Sequence, residues 1–273
     1  MRLLAILTGV RSTASCLDAA TIAARSLGNG ASIEALHVMV DPEQMIAASE
    51  EINLQRLRAR DEGTAHERAS AIHSAFLAWR AEAALDASSV RWTMLTGPEE
   101  ELVDREARAA DVIVLVLARE ANMDSADAFH AAVFRSGKPV LVVPAGWRGG
   151  SRDAFATIAV GLSDSEATRH AIEGAGPWLR AAGRVVAIRI GRPDESALAA
   201  TRLLAETGAE PELHDVPPGN PSLGQQIVEE ARSVGADLLV VGAYRHSQVI
   251  EWLLGGTTRH LLAAADLPVL LAH

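Results

Sequence analysis

Cysteine is almost absent. Cys16 stands alone among 273 residues, which excludes an internal disulfide and suits a reducing compartment. In its Ala-rich surroundings Cys16 reads as a small apolar helix residue sooner than as a reactive thiol. Aromatic residues are scarce, at 4%, too few for a base-stacking nucleic-acid surface. Positive charge is in deficit, with 25 Lys+Arg against 35 Asp+Glu and a net charge of -10. That balance argues against a broad face for a polyphosphate backbone, while leaving room for a local cationic pocket around a small anion. No apolar run approaches the ~20 residues of a membrane span. The opening "LLAILTGV" is too short and poorly flanked for a signal peptide. A Gly-Lys-Ser/Thr phosphate loop is missing, so strong ATPase machinery with an organised Mg²⁺ is not expected. Ser12, Ser15 and Ser163 lack the Gly-x-Ser-x-Gly context of a nucleophile elbow.

What remains is apolar and periodic. Hydrophobic residues make up 49%, so the chain is globular, long enough for two domains, and read as soluble and cytoplasmic. "LLAILT" is a continuous apolar run of the kind buried on both faces of a parallel sheet. "STASCLDAATIAARSLG" has helical spacing with Gly28 as a stop. "SIEALHVMV" is a second strand, and Glu43 to about Asp86 reads as one long helix or a helical pair. "VRWTML" is a third strand, Pro98 opens a helix, "DVIVLVLA" is the fourth strand and "KPVLVVPAG" the fifth. The Glu43–Asp86 stretch lies far in sequence from the strand-end loops, so it is expected at the surface or in a dimer contact.

Then the pattern restarts. "TIAVGLS", "RVVAIRI", "PELHDV", "ADLLVVGA" and "LPVLLAH" are strands, separated by helices, the first of which Pro177 should kink or split. "RAADVIVLVLA" matches "VGADLLVVGAY", and "KPVLVVPAG" matches "LPVLLAH". The chain is therefore a tandem duplication, with one unit over 1–148, a Gly149-Gly150-Ser151 linker, and a second unit over 152–273. Strands alternating with helices predict an α/β fold of two five-stranded parallel sheets. Each unit ends in a short apolar strand whose edge would otherwise expose backbone groups, so the two last strands are expected to pair with each other.

In such a sheet, ligands sit beyond the carboxyl ends of the strands, where strand order reverses. In the second unit those ends offer Ser163, Ile190 and Gly242, with Gly255, Gly256, Thr257 and Thr258 opening a further helix. Free N–H groups at a Gly-opened helix start suit an anion. A tight turn with a threonine cap accounts for the same four residues equally well. His246, His260 and His273 lie near in sequence, on different elements and without a carboxylate in motif spacing, which favours surface or capping roles over a metal site. No metal site is expected, and no catalytic residue is assigned.

"GAYRHSQVIEWLLGGTTRHLL", with "LPVLL" downstream, resembles the signature of the universal stress protein family: Gly, two residues, Gly, nine residues, then Gly and Ser or Thr. Gly242 fills the first position and Gly255 the third. The resemblance implies a Rossmann-like fold of the adenine nucleotide alpha hydrolase type in both units. It also implies ATP, with or without Mg²⁺, at one site in the second unit. By position, Gly242 would lie under the ribose and phosphates, Gly255, Gly256, Thr257 and Thr258 would grip the phosphates, and Ile190 would approach the adenine. Ser163 stands where the family carries an acidic residue, with Asp164 beside it. Arg245 replaces the second glycine and Gly256 the Ser or Thr after the third. The first unit lacks the signature, with no glycine between "DVIVLVLA" and Gly137, and is read as structural. The implied function is regulatory nucleotide binding in a stress response, with an unnamed protein partner and a possible homodimer. The alternatives are a scaffold without nucleotide and, third, a weak ATPase.

Arg245 has two readings with opposite signs. Its guanidinium pairs with phosphate, or its bulk narrows the pocket. In the first case Arg245→Ala weakens ATP binding more than adenosine binding, by roughly tenfold to a hundredfold. In the second, Arg245→Gly tightens ATP binding. One calorimetric titration series decides between them, and the phosphate contact is the expected result.

Overall fold

The computed structural model describes residues 1–28, 30–43, 58–60, 62–83, 89–117, 126–163, 165–191, 195–219, 222–242 and 256–272; within the helices, the side chains of 126, 195–199 and 256–259 are not described. The strands are β1 Arg2–Ile6, β2 Ser32–Met39, β3 Val90–Thr96, β4 Val112–Leu117, β5 Val140–Pro144, β6 Thr157–Gly161, β7 Arg184–Ile190, β8 Pro211–Val216, β9 Leu238–Gly242 and β10 Val269–Ala272. The helices are α1 Val10–Arg25, α2 Ala65–Glu82, α3 Glu99–Ala107, α4 Ala126–His130 (continued by a π-helical turn, Ala131–Arg135), α5 Glu166–Ala181, α6 Glu195–Glu206, α7 Leu223–Ser233 and α8 Gly256–Ala264.

All ten strands form one sheet, in the order β3-β2-β1-β4-β5-β10-β9-β6-β7-β8. Within each half the pairs are parallel. The halves meet where β5 pairs antiparallel with β10, Leu141 opposite Leu270, so the two short last strands do satisfy each other's edges. The fold class is as the sequence predicted, an α/β protein of two five-strand repeats, here fused edge to edge.

Among the described residues, each sheet face carries four helices. One core joins α1, α2, α5 and α6 to the sheet through Cys16, Leu17, Phe76, Trp79, Trp178 and Leu204. The opposite core joins α3, α4, α7 and α8 through Val103, Phe129, Val228, Leu261 and Leu262. β1, β4, β6 and β9 are covered on both sides, which is why they read as unbroken apolar runs. Cys16 is fully buried and its thiol donates to the Val114 and Ile6 carbonyls. Burial pushes its pKa far up, so it packs as a small apolar residue. Near the amino edge, Glu34 on β2 accepts from Arg2, Arg91 and Thr93 at 2.6–2.7 Å. Burial alone would raise its pKa, but these three donors hold it down to about 2 and tie β1, β2 and β3 together.

Both cores cross the junction. Trp178 on α5 is 2% exposed and donates from Nε1 to the Ala23 carbonyl of α1 at 2.9 Å. Gly174 lies so close to Pro139 that an added Cβ would come within 2.4 Å of its ring. Phe155, at the start of the second half, is buried and donates its N–H to Ser26 Oγ. Pro177 neither breaks nor splits α5, which runs as one helix over Glu166–Ala181. Buried Ile172, Ala175, Trp178 and Leu179 hold the helix on the sheet on both sides of the missing N–H. The Glu43–Asp86 segment also differs from expectation: its described end, with Arg58, Ala65, Arg68 and Ile72, borders the ends of β1 and β2. No described helix is long and apolar enough to cross a membrane.

Trp178→Ala should cost about 3–5 kcal/mol, the range for removing a buried large aromatic side chain. Because the cores are continuous, denaturant unfolding followed by far-UV circular dichroism and by fluorescence should give coincident transitions for both halves. Two resolved transitions would contradict the shared core.

Candidate functional site

In the second half the strand order turns outward in both directions from β6 and β9, which lie side by side and parallel. α5 leaves β6 toward one face, and α8 follows β9 on the other. α8 returns the chain to β10, which runs parallel to β9, so both helices begin at the carboxyl edge. This is the crevice in which open α/β sheets hold ligands.

Ser163 lies just beyond β6. Its hydroxyl is 3.1 Å from Ser165 Oγ and 2.5 Å from Thr168 Oγ1, and the last two are 3.0 Å apart. Ser165 is the N-cap of α5 and accepts from the Thr168 N–H at 3.0 Å. Three neutral hydroxyls therefore satisfy one another at the end of a sixteen-residue helix, where a negative group would be favoured by the helix dipole. The sequence reading found Ser163 but missed Ser165 and Thr168. The signal was present, since Ser165 precedes the apolar periodicity of α5 at a capping position.

Gly242 closes β9 and is buried. A Cβ there would lie 2.4 Å from the Thr168 backbone nitrogen and 2.7 Å from the Ala167 carbonyl carbon. The first turn of α5 thus rests directly on the β9 backbone, and only glycine permits that approach. Ile190 ends β7, half-buried, and packs toward the α7 and α8 side. One residue earlier, Arg189 is 7% exposed, pairs with Asp215 at 2.6 Å, and leaves its Nε without a partner.

Gly256 is the first residue of α8, followed by Thr257 and Thr258 in its first turn. Gly255 and Arg245 lie outside the described residues, as do Asp164, His246 and His273. The structure brings Ser163 and Gly242 together on α5, and sets Ile190 one strand farther out on β7. His260 is exposed on α8. Among the described residues no three His, Cys, Asp or Glu side chains gather as metal ligands would.

Residues 154–273 match the model of the universal stress protein family. The whole chain is similar in fold to a universal stress protein from Archaeoglobus fulgidus DSM 4304, at 14% identity and TM-score 0.61, covering 98% of this chain and 94% of that one. It is also similar to a putative universal stress protein from Pseudomonas aeruginosa UCBPP-PA14, at 15% identity and TM-score 0.52, over 98% and 91%. A functionally unknown protein from Pseudomonas aeruginosa PAO1 gives 14% identity and TM-score 0.54 over the same shares. No curated protein matches the sequence.

Gly242→Ala should destabilise the protein by about 1–3 kcal/mol or more even without ligand, as overpacking does, because the obstructing atoms are backbone. Thermal unfolding of the ligand-free protein measures this directly. An unchanged Tm would mean that α5 does not rest on β9.

Proposed function

We propose, from the match of residues 154–273 to the universal stress protein family model, that the chain is a stress-response protein with one adenine-nucleotide site, at the carboxyl ends of β6 and β9. The observation that carries this reading is the reversal of strand order at β6 and β9, from whose carboxyl edge α5 and α8 leave to opposite faces. Backbone N–H groups in the first turn of α8, beginning at Gly256, suit the phosphates of ATP. The hydroxyls of Ser163, Ser165 and Thr168 supply neutral donors and acceptors for ribose or phosphate oxygen. Ile190 offers an apolar strand end for the base. By the family resemblance Gly255, Thr257 and Thr258 complete the phosphate grip, and Arg245, which stands where the signature carries glycine, adds a charge for phosphate.

Occupancy acts by shifting the population of conformations or partners, not by turnover. The compartment is the cytoplasm, in keeping with the single, buried Cys16. A protein partner or a homodimer would read out the bound state.

A second reading, a scaffold without nucleotide, is favoured by two contacts. Packing on α5 alone explains Gly242, and the three hydroxyls satisfy one another without a ligand. Calorimetric titration with ATP is the test. The expected stoichiometry is near one per chain, lost in the Gly255→Val, Gly256→Val double variant. No binding heat, together with no nucleotide released on denaturing the purified protein, would favour the scaffold. Stoichiometry near two would place a site in the first half as well.

A further inference from the structure

The first half closes its carboxyl edge around a cavity of about 30 Å³. One water needs roughly 10–15 Å³ and a drug-sized ligand roughly 300–1,000 Å³. The space therefore suits a couple of waters or one small ion, and not a nucleoside. Thr8 beyond β1, His37 and Val40 at the end of β2, Arg58, Arg68 on α2 and Glu99 on α3 contribute to its lining. Among the described lining residues two guanidinium groups stand with one carboxylate, Glu99, in a protein whose net charge is -10, and Glu62 pairs with Arg58 from beside the lining. Both cations are fixed in place: Arg58 by Glu62 at 2.9 Å, and Arg68 by the Gly63 carbonyl at 2.6 Å.

The same lining includes a buried imidazole. His37 is 7% exposed, and its Nδ1 donates to the Leu7 carbonyl at 2.8 Å, which fixes the tautomer and leaves Nε2 to take up a proton. Burial above all, and then the charges of Arg58 and Arg68, hold its pKa below the ordinary value against the Leu7 hydrogen bond. The nearby acids are Glu99 on the lining, Glu62 on Arg58, and Asp41, which lies 3.9 Å from His66.

We propose that this cavity binds a small tetrahedral oxyanion of the phosphate class, held by Arg58 and Arg68 beside His37. A dianion among these groups replaces the repulsion that His37 meets on protonation with attraction. Anion and proton then bind cooperatively, and each strengthens the other by the same factor. The site is separate from the nucleotide crevice of the second half and does not depend on it. It gives the half without the glycine signature a ligand of its own.

Sulfate is the probe, because its charge stays constant across the His37 titration. NMR of the full-length protein, with the His37 signal assigned by its loss in His37→Gln, follows the imidazole pKa in sulfate and in chloride at equal ionic strength. Sulfate should raise that pKa by about 1–3 units and do so saturably. The shift should vanish in the Arg58→Gln, Arg68→Gln double variant and persist in Arg68→Lys, which keeps the charge. Inorganic phosphate should compete with sulfate, and the Gly255→Val, Gly256→Val variant should leave the effect intact. Identical titrations in sulfate and chloride would overturn the proposal, as would a shift that survives loss of both arginines. A shift produced by ATP but not by sulfate would also overturn it.

Discussion

Ten strands become one sheet because β5 and β10 pair antiparallel. Each is the last strand of its repeat, and a buried edge of unpaired N–H and C=O groups is costly. Pairing like with like removes both edges at once. It also brings α1 against α5, so that Trp178 reaches Ala23 and Gly174 meets Pro139. Among the described strands the outermost are β3 and β8, at the far ends of the sheet. There Arg91 and Glu212 are exposed on the strands, and Pro211 opens β8, features that discourage further strand addition.

The two repeats share a topology and differ at the strand ends. His37 is the sixth residue of β2 and Arg189 the sixth of β7, and both are 7% exposed. In the first half the buried polar group bonds to the Leu7 carbonyl and faces a small cavity bordered by two arginines. In the second it pairs with Asp215 on the neighbouring strand. Duplication preserved the frame, because the apolar runs of β1, β4, β6 and β9 must stay apolar to be buried on both faces. The polar residues beside the strand ends answer to no such demand, and there the halves have separated in chemistry.

At the carboxyl edge of the second half, packing alone fixes one residue. Gly242 is required for α5 to rest on β9, whatever binds above it. The same close approach brings the α5 N-terminus, with Ser163, Ser165 and Thr168, to the strand edge where a ligand would lie.

Periodicity and composition determined the strands, the tandem repeat and the pairing of the last strands, because continuous apolar runs and unpaired edges have few physical solutions. Of the kink or split expected at Pro177, the split does not occur, because buried neighbours on both sides hold the helix in one piece. Gly242, Gly256 and Ser163 were legible as strand-end and helix-start residues. What Gly242 touches was not, since Thr168 approaches it across 74 residues of chain. Only the tertiary structure decided that the hydroxyl ring of Ser163, Ser165 and Thr168 comes against Gly242 of β9, and that His37, Arg58 and Arg68 border one cavity. Those groups lie on separate elements, and the distances between side chains on separate elements are set by how helices seat on the sheet, which no local pattern in the sequence encodes.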